Sequence, residues 1–283
     1  HFVDMVLSAQ QEALYYSNLG SKSSFIILEY NNKKIFIECF DRIFEFSENG
    51  AKYCDFYFKK QYANEETIQK INMDAKENKK DYKLLEWNNF YKKYSKKIKT
   101  FILTRRELIC YKPVKLKKKY IISTYSAGHG DGLEYGKNRD KIYKIIKSVL
   151  GDKFNLKKHD TYGNNLFNNS GPLSYKDYLN LLSESYFMIY FSGKGFGTPF
   201  RICDGYLSNT VLLGEHIYTE AESNFPLFNF GWKLHENILN EDETKEKLHY
   251  LLENYESVYD SYIHKQRKWF NDNVNNFYEQ FLC

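Results

Sequence analysis

Residues 183–214 read SESYFMIYFSGKGFGTPFRICDGYLSNTVLLG, two short apolar runs separated by a glycine-rich segment. The first run, 186–191, has the length and aromatic content of a buried strand. Three alternating glycines follow, and Pro199 then suits the first turn of a helix, where its missing N–H costs nothing. A second apolar run covers 210–213. This order predicts a right-handed strand–helix–strand unit in a parallel sheet.

The glycine-rich segment has the composition of a phosphate-binding loop. Glycine accepts positive φ and lets a ligand approach the backbone closely, and the N-terminus of the next helix favours an anion. Arg201 and Asp204 are three residues apart, so they share one face of that helix. The alternative is an ordinary tight turn beside a surface ion pair of little energetic value. The spacing matches neither the dinucleotide fingerprint nor the Walker sequence, which disfavours both of those nucleotide motifs.

This segment and its flanks resemble the C-terminal, nucleotide-sugar-binding domain of GT-B glycosyltransferases, in the style of the exostosin-like and related families. Those families show a pattern written skF.l...G.G...R..Ea...G..PV. The matching positions here are Ser185, Tyr186, Phe187, Gly193, Gly195, Arg201, Asp204, Gly205, Val211, Leu212 and Leu213. The sequence departs from the pattern in two places: Asp204 stands where a glutamate is usual, and no proline precedes the second strand.

The resemblance implies a function and a set of ligands. It implies transfer of a sugar from a nucleotide sugar, which is a co-substrate rather than a cofactor, to a glycan or lipid-linked acceptor. Arg201 and Lys194 would face the diphosphate, and Asp204 would hold ribose or sugar hydroxyls. The sequence has no DxD motif, so we expect a metal-independent reaction and no metal site. The expected donor-binding residues are Ser123, Lys137, Arg139, Gly193, Lys194, Gly195, Phe196, Gly197, Arg201 and Asp204.

The second half of the chain begins with the same order of strand, glycine-rich stretch and helix. Residues 120–124 (YIIST) have a buried-strand signature, the polar stretch SAGHGDGLEYG follows, and a helix is predicted over 138–150. By the resemblance, Lys137 and Arg139 match a basic group that such enzymes add to the donor phosphate. The alternative is that both residues only solvate the loop.

Four residues are catalytic candidates, of which Asp41 and His129 are preferred. An inverting transfer needs a carboxylate or histidine to take the proton of the acceptor hydroxyl. Asp41 closes a predicted strand and is our candidate base, with Asp55 and Asp4 as weaker ones, and His129 could touch the leaving phosphate or the donor sugar. The alternative for each acid is a strand-end or helix-cap role.

The pattern as a whole predicts an α/β fold of two Rossmann-like domains of GT-B type, with the N-terminal one reduced. The expected bounds are 1–115 for the acceptor-side domain, 116–260 for the nucleotide-sugar domain, and 261–283 for a C-terminal helix. By the resemblance, this helix would pack back on the first domain. In the first domain Asn31-Asn32 suits a hairpin turn. We predict helices over 4–19, 65–71 and 82–94, and strands over 24–30, 34–40, 54–59 and 101–103.

Charge is unevenly distributed along the chain. The net charge is +5, yet residues 76–119 contain 16 basic and 4 acidic residues, which leaves 25 basic and 32 acidic residues elsewhere. Three interpretations compete: a solvated helix face with a lysine-rich connector, contact with an anionic membrane surface, and nucleic-acid binding. No nucleic-acid-binding motif accompanies the lysines, so nucleic acid is not an expected partner. A non-catalytic protein that binds nucleic acid or a membrane surface through this segment is the alternative function.

Cysteine and apolar patterns indicate the compartment. The five cysteines are scattered without a CxxC, which favours reduced thiols over disulfides or a zinc site. No run of about 18 apolar residues occurs. We therefore expect a cytoplasmic protein, with peripheral contact at the inner membrane surface as a further expectation.

Overall fold

The computed structural model of the 283-residue chain describes residues 25–38, 46–60, 62, 69, 82–100, 117–126, 134–151, 156–160, 174–192, 198, 201–219, 223–236 and 238–282. Its elements in chain order are β1 (Phe25–Tyr30), β2 (Lys33–Glu38), α1 (Glu48–Tyr53), β3 (Phe56–Lys59), α2 (Tyr82–Tyr94), β4 (Ile98–Thr100), β5 (Tyr120–Ser126), α3 (Glu134–Leu150), β6 (Leu156–Asp160), α4 (Tyr175–Ser183), β7 (Ser185–Tyr190), α5 (Arg201–Ser208), β8 (Val211–Gly214), β9 (Phe228–Asn229), a 3₁₀ turn (Leu234–Glu236), α6 (Glu241–Glu253) and α7 (Tyr255–Leu282).

The chain divides into two compact units. The first comprises 1–103 with the short segments 193–198 and 218–224, and the second comprises 104–192, 199–217 and 225–283. Within the first unit the ammonium group of Lys60 donates to the carbonyl oxygen of Thr198 at 2.5 Å.

The first unit contains a four-stranded sheet in the order β1-β2-β3-β4. β1 and β2 are antiparallel, whereas β2, β3 and β4 run parallel. The hairpin turn predicted at Asn31 and Asn32 is confirmed, because both residues have positive φ (50° and 59°), as a type I′ turn requires. The core of the first unit is aromatic. Phe36 stacks on Tyr57 at 5.1 Å between ring centroids, and Phe90 of α2 contacts Tyr57 edge-on.

A buried polar trio closes the ends of β2 and β3. Glu38, Tyr57 and Lys59 are all fully buried. The Lys59 ammonium lies 2.5 Å from one Glu38 carboxylate oxygen, and the Tyr57 hydroxyl donates to the other. Burial and the neighbouring Glu38 charge raise the pKa of Tyr57 well above its ordinary value. The trio therefore satisfies its charges internally, as buried ionic groups must.

The second unit contains a five-stranded parallel sheet in the order β6-β5-β7-β8-β9. Alternate residues of β7 face opposite sides, as the period of a strand dictates. Phe187 and Ile189 pack into a cluster with α3 and α6, whereas Met188 and Tyr190 pack into another with α4 and α5. Both faces are thus covered, which explains why β7 is an unbroken apolar run.

The α/β fold predicted from the sequence is confirmed, with two sheets built largely of parallel strands and a smaller N-terminal one. The β7–α5–β8 unit is parallel as predicted. Several elements differ from the prediction. α3 begins at Glu134 rather than 138, α7 begins at Tyr255 rather than 261, and α1, β4 and β9 were not predicted. The predictions over 4–19, 101–103 and most of 65–71 lie outside the described residues. Within the described part of the chain, no helix combines the length and apolar character needed to cross a membrane.

The edge of the second sheet where its strands begin is held by a polar cluster around Asn209. Lys118 donates to the carbonyl oxygens of Ser185 (2.9 Å) and Asn209 (3.1 Å). From α7, Tyr259 donates to the Asn209 carbonyl at 3.0 Å, and Arg267 donates to its side-chain oxygen at 2.5 Å. Asn209 itself has φ of 52°, a conformation that asparagine tolerates better than most residues. The cluster therefore joins α7 to the starts of β7 and β8.

Lys118 makes the stability of this cluster dependent on pH. Burial lowers the pKa of Lys118 from 10.5 to about 8. Below pH 8 the Lys118 side chain is protonated in both the folded and the unfolded chain, so the free-energy cost of burying its positive charge is fully present. Between about pH 8 and 10.5 the unfolded chain binds more protons than the folded one, and stability rises with pH. We predict that the free energy of unfolding of the wild type rises relative to Lys118→Met over this range in urea titrations.

The neighbouring lysine provides the control. Lys119 is exposed, and its hydrogen bond to Glu184 at 2.8 Å raises its pKa above 10.5. Its stabilising contribution is therefore constant up to that pH and lost above it. Lys119→Met should show no such change between pH 8 and 10.5. The same pH profile in both variants would contradict the assignment to Lys118.

Candidate functional site

The strand order of the second sheet marks one position at the edge where the strands end. The chain passes from β5 outward to β6 on one side, whereas β7 leads to β8 and β9 on the other. The order reverses between β5 and β7. In open α/β sheets, ligands bind in the crevice outside the carboxyl ends of the strands at this reversal. The residues that follow β5 and β7 therefore form the candidate site.

Arg139 is buried at this edge. It lies in the second turn of α3, the helix after β5, and only 9% of its surface is exposed. Its Nη2 donates to the carbonyl oxygen of Ser192 at 2.8 Å, and its guanidinium lies 4.9 Å from the centre of the Phe191 ring. Lys137, two residues earlier, is exposed. The two basic residues predicted as a pair thus have different surroundings.

Arg201 and Asp204 open α5, the helix that follows β7. Arg201 is half-buried at the first position of the helix and Asp204 is buried in its first turn. A carboxylate there is stabilised by the positive end of the helix dipole. The helix predicted to begin with a cation and an acid is thus present, and its N-terminal end lies after β7, at the reversal point.

The remaining predicted residues fall into two groups. Ser123 is buried within β5, where its hydroxyl donates to the Phe187 carbonyl at 3.4 Å. Asp55, the weaker base candidate, precedes β3 and accepts the N–H of Lys34 at 2.8 Å, the strand-end role named as its alternative. Outside the described residues lie Asp4, Asp41, His129, Gly193, Lys194, Gly195, Phe196 and Gly197.

Glu215 is a site residue that the sequence analysis missed. It follows β8 directly and is fully buried. Its Oε1 accepts both the backbone N–H and the hydroxyl of Ser192, and its Oε2 accepts the N–H of Leu234 at 3.1 Å. Burial raises the pKa of Glu215, while the hydrogen bonds from Ser192 and Leu234 and the charge of Arg139 act to lower it. An acid directly after an apolar strand was the available signal, the same one that selected Asp41.

Gly214 lets β8 approach β7 at this edge. Its φ is +154°, and a Cβ built on it would lie 2.1 Å from the carbonyl oxygen of Tyr190. Only glycine fits such a close approach of two backbones. Gly214 therefore sets the spacing between the ends of β7 and β8, from which Ser192 and Glu215 follow.

This arrangement is suited to binding an anion. Two helices, α3 and α5, begin after the two strands at the reversal point, and each has an arginine in its first two turns. Helix N-termini and guanidinium groups together favour phosphate. Among the described residues, no cluster of three or more histidine, cysteine or acidic side chains is placed to hold a metal ion.

No family model matches the sequence, and no curated protein sequence matches it. Among solved structures, the chain is similar to T4 phage BGT in complex with UDP and Mn²⁺ (TM-score 0.37, 11% identity), covering 62% of this chain and 50% of that one. It is also similar to the glycotransferase of kitacinnamycin (TM-score 0.39, 10% identity), covering 76% of this chain and 66% of that one. The chain thus spans about half the length of the phage enzyme, and likenesses this distant do not assign a function.

Substitution of Gly214 tests the close approach at this edge. We predict that Gly214→Ala lowers the free energy of unfolding by more than about 2 kcal/mol, because the new methyl group meets a backbone oxygen as well as an unfavourable φ. Gly151→Ala is the control: its φ is +55°, but nothing lies within 4 Å of the added Cβ, so backbone strain alone should cost about 1 kcal/mol. Urea denaturation measures both, and equal losses would contradict the clash.

Proposed function

We propose that the protein is a glycosyltransferase that moves a sugar from a nucleotide-sugar donor to a glycan or lipid-linked acceptor without a metal ion. The observation that supports this most is the pair of arginines, Arg139 and Arg201, on the two helices that follow the reversal-point strands β5 and β7. A diphosphate placed at this edge would meet the N-termini of two helices and the half-buried Arg201. The glycine-rich residues 193–197 lie in sequence between Ser192 and the second of these helices.

The donor would be held by residues with distinct tasks. Arg201 and Lys194 would contact the diphosphate, and Lys137 would add charge from α3. Asp204, at the start of α5, would accept hydrogen bonds from ribose or sugar hydroxyls. Without a metal ion, fixed cations and helix N-termini must neutralise the departing diphosphate, and this edge of the sheet supplies both.

Four of the described lysines in the lysine-rich segment 76–119 make structural contacts. Among its described residues, Lys97 and Lys118 donate to backbone carbonyl oxygens, and Lys93 and Lys119 pair with acidic side chains. The ammonium groups of these lysines contact other groups of the protein itself. These four contacts support a structural role for part of the segment, and peripheral membrane contact is proposed only as an addition to the activity.

The first experiment is calorimetric titration with UDP, GDP, CMP, dTDP and ADP, each with and without magnesium. The proposal expects one nucleotide to bind with micromolar affinity whether or not magnesium is present. Binding of that nucleotide only with magnesium would overturn the metal-independent part of the proposal. Binding of none would overturn the proposed function itself.

Arg201 provides the most direct mutational test. We predict that Arg201→Ala weakens binding of the nucleotide identified above by about 1.5–3 kcal/mol, the scale of a lost charge-assisted hydrogen bond. Arg267→Ala is a matched control, because Arg267 bonds Asn209 at the opposite edge of the sheet. The control should bind as the wild type does. Wild-type affinity in a folded Arg201→Ala protein would remove Arg201 from the site.

Asp41 is the proposed base, with His129 as a second catalytic residue near the leaving phosphate or donor sugar. We predict that Asp41→Asn lowers turnover at least about 100-fold, since general-base catalysis contributes roughly 10²–10⁴-fold, and leaves nucleotide affinity within about twofold. Steady-state kinetics with the donor found by calorimetry measures the turnover. Calorimetric titration measures the nucleotide affinity. Asp272→Asn, an exposed acid paired with Lys268, is the control. Full turnover in Asp41→Asn would discard this assignment.

A further inference from the structure

The solvent face of helix α3 consists almost entirely of lysine. Its opposite face is apolar, and Ile142, Tyr143 and Ile146 are buried in the core of the second unit. Between residues 137 and 150, the exposed side chains are those of Lys137, Lys141, Lys144, Lys147 and Ser148. We call the four lysines the lysine row. They recur every three or four residues, so they lie on one side of the helix.

The neighbouring helix α6 shows how surface lysines are usually balanced. There Lys245 pairs with Glu241 at 2.8 Å and Lys247 pairs with Glu243 at 2.6 Å. Each pair is four residues apart with the acid first, which is the arrangement that stabilises a helix. The positive charges of α6 are therefore compensated within the helix itself.

The lysine row has the opposite arrangement. Its successive members are four, three and three residues apart, and like charges at these spacings destabilise a helix. Lys141 and Lys144, in the middle of the row, form no ion pair or hydrogen bond in the part of the chain that the structure describes. Glutamate or glutamine at some of these positions would remove the repulsion and keep the face polar. The row therefore indicates a partner of negative charge outside the chain.

The composition of this face favours a membrane surface over nucleic acid as that partner. Arginine, which suits bidentate contacts with phosphate, is absent from it, because Arg139 is turned inward onto the Ser192 carbonyl. Surfaces that bind single-stranded nucleic acid add aromatic side chains for stacking, whereas Tyr143 is buried. Lysine is a hydrated point charge, and a cluster of four or more on an amphipathic helix is typical of binding to anionic lipids.

We propose that the lysine row of α3 is a contact surface for a membrane that contains anionic lipids. The row extends over about 15 Å of the helix, and the apolar face of α3 is already packed in the core. The contact therefore depends on charge without insertion of apolar side chains, and it is reversible and sensitive to salt. The proposal goes beyond the proposed function, because vesicle binding requires no nucleotide. If both hold, a lipid-linked acceptor is favoured over a soluble glycan.

Vesicle sedimentation with the full chain tests the proposal. The wild type should bind vesicles of phosphatidylcholine with phosphatidylserine and not vesicles of phosphatidylcholine alone. The double variant Lys141→Gln, Lys144→Gln should bind the anionic vesicles about 10- to 30-fold more weakly, because each lysine close to such a surface contributes about fivefold. Raising the salt concentration from 0.1 to 1 M shortens the screening length from about 10 to about 3 Å, so it should release the wild type.

The double variant Lys92→Gln, Lys96→Gln is the matched control. Both lysines are exposed, and they belong to the lysine-rich segment 76–119 in the first unit. The control removes the same charge from the protein, but it should bind anionic vesicles as the wild type does. Urea denaturation checks the fold of the α3 variant, whose free energy of unfolding should not fall, because the substitutions remove a repulsion between like charges.

The outcomes separate this proposal from the proposed function. A wild type that does not prefer anionic vesicles overturns the membrane contact, as does wild-type binding by the α3 variant. Equal weakening in both double variants also overturns it, because net charge would then explain the effect. Binding to a duplex RNA that is lost in the α3 variant, without vesicle binding, would identify nucleic acid as the partner instead. Vesicle binding by a protein that binds no nucleotide of the panel would overturn the proposed function alone.

Discussion

The Glu215 carboxylate is the group on which the carboxyl edge of the second sheet depends. It receives two hydrogen bonds from Ser192 and one from Leu234, and Arg139 donates to the carbonyl oxygen of the same serine. An unsatisfied buried carboxylate would cost far more than any of these bonds contributes. The segments after β7 and β8 and the start of the 3₁₀ turn must therefore lie close together at one place. Gly214 makes this possible, because it lets the two strand ends approach closely enough for Ser192 to reach Glu215.

The two edges of this sheet have different polar chemistry. Where the strands begin, the Lys118 and Arg267 side chains end on carbonyl and amide oxygens of Asn209 and join the long C-terminal helix to the sheet. Where the strands end, carboxylate and guanidinium groups surround the peptide that leads into a glycine-rich segment. Parallel sheets place all strand ends on one side, so the cluster around Asn209 and the candidate site occupy separate regions and can change separately.

The sequence predicted those elements whose formation depends on residues that are neighbours in the chain. The β7–α5–β8 unit, the Asn31-Asn32 hairpin and helix α2 all follow from local periodicity and turn chemistry. The strand order did not follow, because it depends on contacts between segments far apart in the chain. The burial of Arg139 and the contacts of Glu215 were missed for the same reason: Arg139 and Ser192 are 53 residues apart, and Ser192 and Glu215 are 23 apart. From the sequence alone, a charged residue is predicted to be exposed unless its distant partner is known.

The buried trio of the first unit has an evolutionary consequence. Glu38 and Lys59 lie on adjacent parallel strands with no exposed surface, and Tyr57 shares the same carboxylate. Replacing either charge alone would leave the other buried without a partner, whereas replacing both with apolar residues of similar volume would be tolerated far better. The two positions are therefore strongly epistatic. Drift at this pair must pass through a poorly folded intermediate or change both codons together, so the pair should persist in relatives whose surfaces have diverged widely.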